Sequence, residues 1–121
     1  MKRPEQELQK ATATLLDTVL PGDAVWFHPP NGGGRSKAEA GIFKAMGVKA
    51  GVPDIVIVWN RQVYMIELKG PKGSLSDAQK ALHPRLRDAG AFVQVAASLD
   101  EVQGYLDAWQ IPRQREGLRH D

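Results

Sequence analysis

Asp54, Glu67 and Lys69 are the residues whose types and spacing could do chemistry: two carboxylates and an ammonium, brought together if the chain between them folds back on itself. Residues 54–59 and 62–69 are rich in β-branched and aromatic side chains, and Asn60-Arg61 lies between them as a tight connection. A two-residue loop there pairs Trp59 with Gln62, and stepping outward along both strands brings Asp54 opposite Glu67. A four-residue loop keeps the same register. Period two then places Lys69 on the face of Glu67, and directly opposed side chains sit roughly 5 Å apart.

Like charges directly opposed destabilise a sheet, and charges on apolar strands lose hydration, so this arrangement asks for a compensating partner. A divalent cation is the natural one. Val56, Val58, Val63 and Met65 share the acidic face, and Ile55, Ile57, Tyr64 and Ile66 the other, which implies central strands covered on both sides. A bare E-x-K is most often an exposed ion pair at a strand end. Here Pro53-Asp54 at the start of the facing strand, in matching register, favours a site.

Pro53-Asp54 with Glu67-Leu68-Lys69 resembles the PD-(D/E)xK nuclease signature. Gly51-Val52-Pro53-Asp54 in this context is similar to the small VRR-NUC branch, stand-alone phage-type members included, over about residues 4–109. The resemblance implies an α/β domain, a mixed central sheet flanked by helices with a restriction-endonuclease-like core. It implies metal-dependent hydrolysis of DNA, with Asp54, Glu67, Lys69 and Gln79 in the catalytic group, and a preference for branched or junction DNA. Asp54 and Glu67 suit Mg2+ or Mn2+, and the likeness adds the main-chain carbonyl of Leu68 and an acid of the first helix. That acid is assigned to Glu5, with Glu7 as the alternative and helix-dipole complementarity as the plain reading of both. So small a unit covers little DNA, and a homodimer presenting two sites is expected.

Composition bounds these readings. The chain has 121 residues, 42% hydrophobic and 25% charged, with net charge +2 and pI near 9.0, which suits one globular domain and a polyanionic partner without demanding one. The absence of cysteine excludes disulfides, thiolate zinc sites and cysteine nucleophiles, and the three histidines show no H-E-x-x-H spacing. With no signal core and no membrane-spanning run, a cytoplasmic protein is expected, in the host cytoplasm if phage-encoded.

The supporting elements follow in order. Residues 4–19 form an apolar-striped helix stopped by Pro21-Gly22, and residues 24–28 a short strand ended by Pro29-Pro30. The stretch 31–37, with three successive glycines, is a loop whose Arg35 and Lys37 could fold over a nucleic-acid backbone or be a solvated linker. It lacks the phosphate-binding P-loop order. Residues 37–46 form a helix with Ala38, Ile42, Ala45 and Met46 on its apolar side. Ser76 to Gln79 has capping-box form, so Gln79 is a cap partner, a residue beside the site, or both. The helix over 76–89 contains Pro84, which should kink it or start a new turn. Lys72 and Lys80 are available to phosphates. Residues 91–97 form a strand, joined to the hairpin by a right-handed crossover. Residues 99–109 form a helix with Leu99, Val102, Leu106 and Trp109 inward, and residues 110–121 a flexible basic tail outside the 1–109 domain.

Two other functions fit the same residues: a catalytically silent nucleic-acid-binding module of this fold, and a metal-dependent hydrolase of small phosphate compounds. Cleavage with added metal separates the first, and competition by duplex DNA the second.

Overall fold

Asn60 and Arg61 both take left-handed backbone angles, φ 52° and 65°, in the computed structural model, which describes residues 3–30 and 36–114. Two successive positive φ values make the two-residue turn whose twist matches that of its flanking strands. The elements run α1 (Arg3–Val19), β1 (Val25–Phe27), α2 (Lys37–Ala45), β2 (Ile55–Trp59), β3 (Gln62–Leu68), α3 (Asp77–Asp88), β4 (Phe92–Ala96) and α4 (Leu99–Ala108). One four-stranded sheet has the order β1-β2-β3-β4, antiparallel except for the parallel β3–β4 pair that α3 connects. This is the expected mixed α/β architecture.

The hairpin register is the expected one: Trp59 pairs with Gln62 and Ile55 with Ile66. Ile55, Ile57, Tyr64, Ile66 and Leu68 point to one side and form the core with Leu16 and Leu20, Ala96, and Val102 and Leu106 of α4. Two indoles anchor neighbouring elements: Trp26 donates to Asp17 at 2.7 Å and Trp59 to Asp23 at 3.2 Å. α3 runs through Pro84 unbroken. The carbonyl deprived of its partner belongs to Lys80, an exposed residue whose backbone water can serve.

Two expectations are corrected, and one amphipathic helix is left uncovered. The acidic face of the sheet is covered only in part: Val56 and Val93 are buried, but Val58, Val25 and Phe27 are exposed. α2 buries none of its side chains, with Ile42 60% and Met46 72% exposed. Periodicity says which side of a helix is apolar, not whether the same chain covers it. The stretch from residue 110 begins packed rather than loose: Ile111 is 2% exposed in the core, Gln114 donates its main-chain N–H to Val19 at 2.7 Å, and Arg113 pairs with Asp107. Gln110, at φ 60°, turns the chain back so that Ile111 can reach the core. Residues 115–121 lie outside the described residues. No helix among the described residues is long and apolar enough to cross a membrane.

Candidate active site

One step beyond the Ile55–Ile66 pair, Asp54 and Glu67 stand together at the end of the hairpin, 8% and 3% exposed. Oδ2 of Asp54 accepts from the main-chain N–H of Leu68 at 2.8 Å, so the strand carrying the second acid also fixes the first. Two residues past Glu67, and so on its face, Lys69 brings Nζ to 3.6 Å from Oε2 of Glu67. The three residues singled out by spacing are brought together.

Electrostatics make the pair unusual. Burial pushes the Glu67 carboxyl up to about 8, the charge of Asp54 and a hydrogen bond shared with it push the same way, and Lys69 opposes them without prevailing. The carboxyl of Glu67 is therefore far harder to ionise than an ordinary glutamate while no cation is present. Oε1 of Glu67 is buried without a hydrogen-bond partner among the described residues. An orphaned carboxylate oxygen beside a second carboxylate is a donor set that fits a hard divalent ion. Among the described residues no group of three or more His, Asp or Glu gathers closely enough to hold a metal ion. The fit is thus to an ion that keeps most of its waters and takes one or two carboxylates, as Mg2+ does.

The turn before β2 is shaped by close packing. Gly51 has φ 92°, and a Cβ there would lie 2.6 Å from the carbonyl oxygen of Ala78 in the first turn of α3. Only glycine meets both conditions. His83 of α3, almost wholly buried, donates from Nε2 to the Gly51 carbonyl at 3.1 Å, and the same nitrogen is 3.9 Å from Oε1 of Glu67. Burial lowers the His83 pKa, so the ring is held neutral. His28, just past β1, donates from Nδ1 to the carbonyl of Asp54 at 2.6 Å. Sequence reasoning passed over both histidines. His83 follows Gln79 by four residues and so shares its helix face, whereas no pattern signals His28, whose partner is main chain.

Two other predicted residues, Glu5 and Gln79, are held by hydrogen bonds. Oε1 of Glu5 accepts from the N–H of Gly70 at 3.3 Å, which ties α1 to the turn after Lys69. A groove of about 300 Å3 opens there, lined by Pro4, Glu5, Gly70, Pro71, Lys72 and Gly73. Gln79 and Ser76 form a reciprocal capping box, with Ser76 N–H to Oε1 at 2.8 Å and Gln79 N–H to Oγ at 3.2 Å. Lys72, Lys80 and Lys37 are exposed, and Arg35 lies outside the described residues.

The VRR-NUC domain model matches residues 34–100, which contain the whole of the Gly51 to Lys69 motif and α3. A solved structure described as a VRR_NUC domain protein superposes with TM-score 0.69 at 26% sequence identity, covering 93% of this chain and 93% of that one. No curated protein sequence matches. With more than half its length under the family model and the family's motif acids gathered at the end of one hairpin, the chain belongs to the VRR-NUC domain family, a family of nuclease-type DNA cleavage.

Proposed function

We propose that this protein is an endonuclease that hydrolyses phosphodiester bonds of DNA in the presence of Mg2+ or Mn2+, with a preference for branched or junction substrates. Glu67 carries the reading. A carboxylate nearly removed from water, beside another carboxylate and with one oxygen unpartnered among the described residues, is costly unless a cation joins it.

Asp54 and Glu67 would hold that ion with the main-chain carbonyl of Leu68, and Glu5, at the turn following Lys69, supplies a further acid. A bound divalent ion neutralises charge on the phosphate and makes a water nucleophilic at neutral pH. Lys69 presents its ammonium beside Glu67, where it can orient the attacking water and meet negative charge as it develops. Gln79 caps α3 through its oxygen and keeps its amide nitrogen for the substrate. Lys72, Lys80, Lys37 and Arg35 take backbone phosphates.

The working unit in this reading is a homodimer. Its support is the apolar surface left uncovered by one copy: Val25, Phe27 and Val58 on the sheet and Ile42 and Met46 on α2. A cleavage panel of duplex, nicked, forked and four-way DNA, each with Mg2+ and with Mn2+, tests the function. Cutting that requires metal and favours the branched forms supports it. Folded protein that cuts none of them with either metal overturns it in favour of a silent binding module.

A further inference from the structure

The turn that presents Asp54 is gripped at both ends by imidazoles from different elements. Its first carbonyl, that of Gly51, receives Nε2–H of His83 from α3. Its last, that of Asp54, receives Nδ1–H of His28 from the end of β1. Carbonyl oxygens only accept, so the nitrogen facing each carbonyl carries hydrogen: Nδ1 of His28 and Nε2 of His83.

The turn needs such donors. Asp54 lies beyond the last ladder pair of β2, Pro53 has no N–H to offer, and the left-handed Gly51 departs from any strand geometry. Each imidazole also bears on an acid. The bond from His28 fixes the peptide that follows the Asp54 Cα, and with it the direction of the Asp54 side chain. The Nε2 of His83 that donates to the Gly51 carbonyl also lies 3.9 Å from Oε1 of Glu67, so one ring packs against both the turn and the acid of β3.

We propose that His28 and His83 are positioning residues, a two-imidazole clamp on residues 51–54 that holds the Asp54 and Glu67 carboxylates at the separation one divalent cation requires. Neither ring touches the reacting atoms. The effect on cleavage rests on the nuclease reading above, whereas the clamp itself does not.

The first test is long-range proton–nitrogen NMR of the folded protein. Nδ1 of His28 and Nε2 of His83 are expected to carry hydrogen; either nitrogen found without one overturns the clamp. The second test compares His28→Leu with His28→Asn, whose amide nitrogen can replace Nδ1, and His83→Leu with His83→Gln, whose amide nitrogen can replace Nε2. Free Mn2+ is followed by electron paramagnetic resonance during titration, and cleavage is measured at saturating metal. The leucine variants are expected to lose about 10- to 100-fold in Mn2+ affinity, the usual cost of removing a group that orients a ligand, with the amide variants recovering most of it. The loss in cleavage should fall on kcat, with KM for DNA changed by less than about twofold. If the exposed His28→Leu binds Mn2+ as tightly as the parent protein, or if leucine and amide variants are equally weak, the clamp is overturned. Should the parent protein itself neither bind Mn2+ nor cut DNA, the nuclease reading falls, while hydrogen on the two facing ring nitrogens still decides whether the imidazoles grip the turn.

Discussion

The main-chain N–H of Leu68 donates to Oδ2 of Asp54 at 2.8 Å, which joins the first acid of the motif to the residue between the other two members. An asparagine at position 54 can still accept that bond through its amide oxygen, while alanine cannot. Asp54→Asn is therefore expected to fold with stability close to that of the parent chain yet lose cleavage. Asp54→Ala should lose cleavage and also about 1–3 kcal/mol of stability, since it strands a buried N–H. Urea denaturation of both variants beside a cleavage assay checks the pair.

Glu67 makes stability depend on pH. Its carboxyl titrates at 4.5 in an ordinary setting and is pushed up to about 8 in the folded chain, so between those values the folded state binds a proton that the unfolded state has released. The sign follows: without divalent ions, stability is highest below about pH 4.5 as far as this group is concerned, and it is lost as pH rises towards 8. Glu67→Gln should flatten that part of the profile. Urea midpoints at several pH values between 5 and 8, in chelator, measure it.

Gly51→Ala combines two penalties, a left-handed φ of 92° and a Cβ placed 2.6 Å from the Ala78 carbonyl oxygen. The turn must move away from α3 and take Asp54 with it, so cleavage should fall by about a hundredfold, the scale set by misplacing a reacting group by an ångström. The same change at Gly41, where a Cβ meets nothing within 4 Å, should leave the rate unaltered. Paired rate measurements on the two variants give the contrast.

Ile111→Ala should destabilise the chain by about 2–4 kcal/mol, the range for truncating a buried isoleucine. Ile111 is 2% exposed among Leu16, Leu20 and Leu106 of the core cluster. A chain ending after residue 109 should lose at least as much, measured by the shift in urea midpoint. A tail without structural duty would show no shift in either case.

Much of this arrangement was legible because a strand has a side-chain period of two. Once residues 60 and 61 form the turn, the pairing of Ile55 with Ile66 and the meeting of Asp54 with Glu67 follow with no further choice. The helix cap at Ser76 was equally local, closing over three residues. What sequence could not supply depends on contacts between distant segments. Glu5 meets Gly70 across 65 positions, and His83 meets Gly51 across 32, both through main-chain atoms that leave no residue-type signature. Ile111 stands alone beyond its helix, outside any periodic pattern, and only the turn at Gln110 carries it inward. α2 shows the converse: its apolar stripe was legible, and its exposure was not.

The account turns on a single divalent cation shared by two acids, and diffraction from Mn2+-soaked crystals at the manganese absorption edge tests that most directly. One anomalous peak within direct coordination distance of carboxylate oxygens of both Asp54 and Glu67, absent in Glu67→Gln, is the predicted result. A peak bound elsewhere, or no peak with both carboxylates ordered at pH 8, would contradict it.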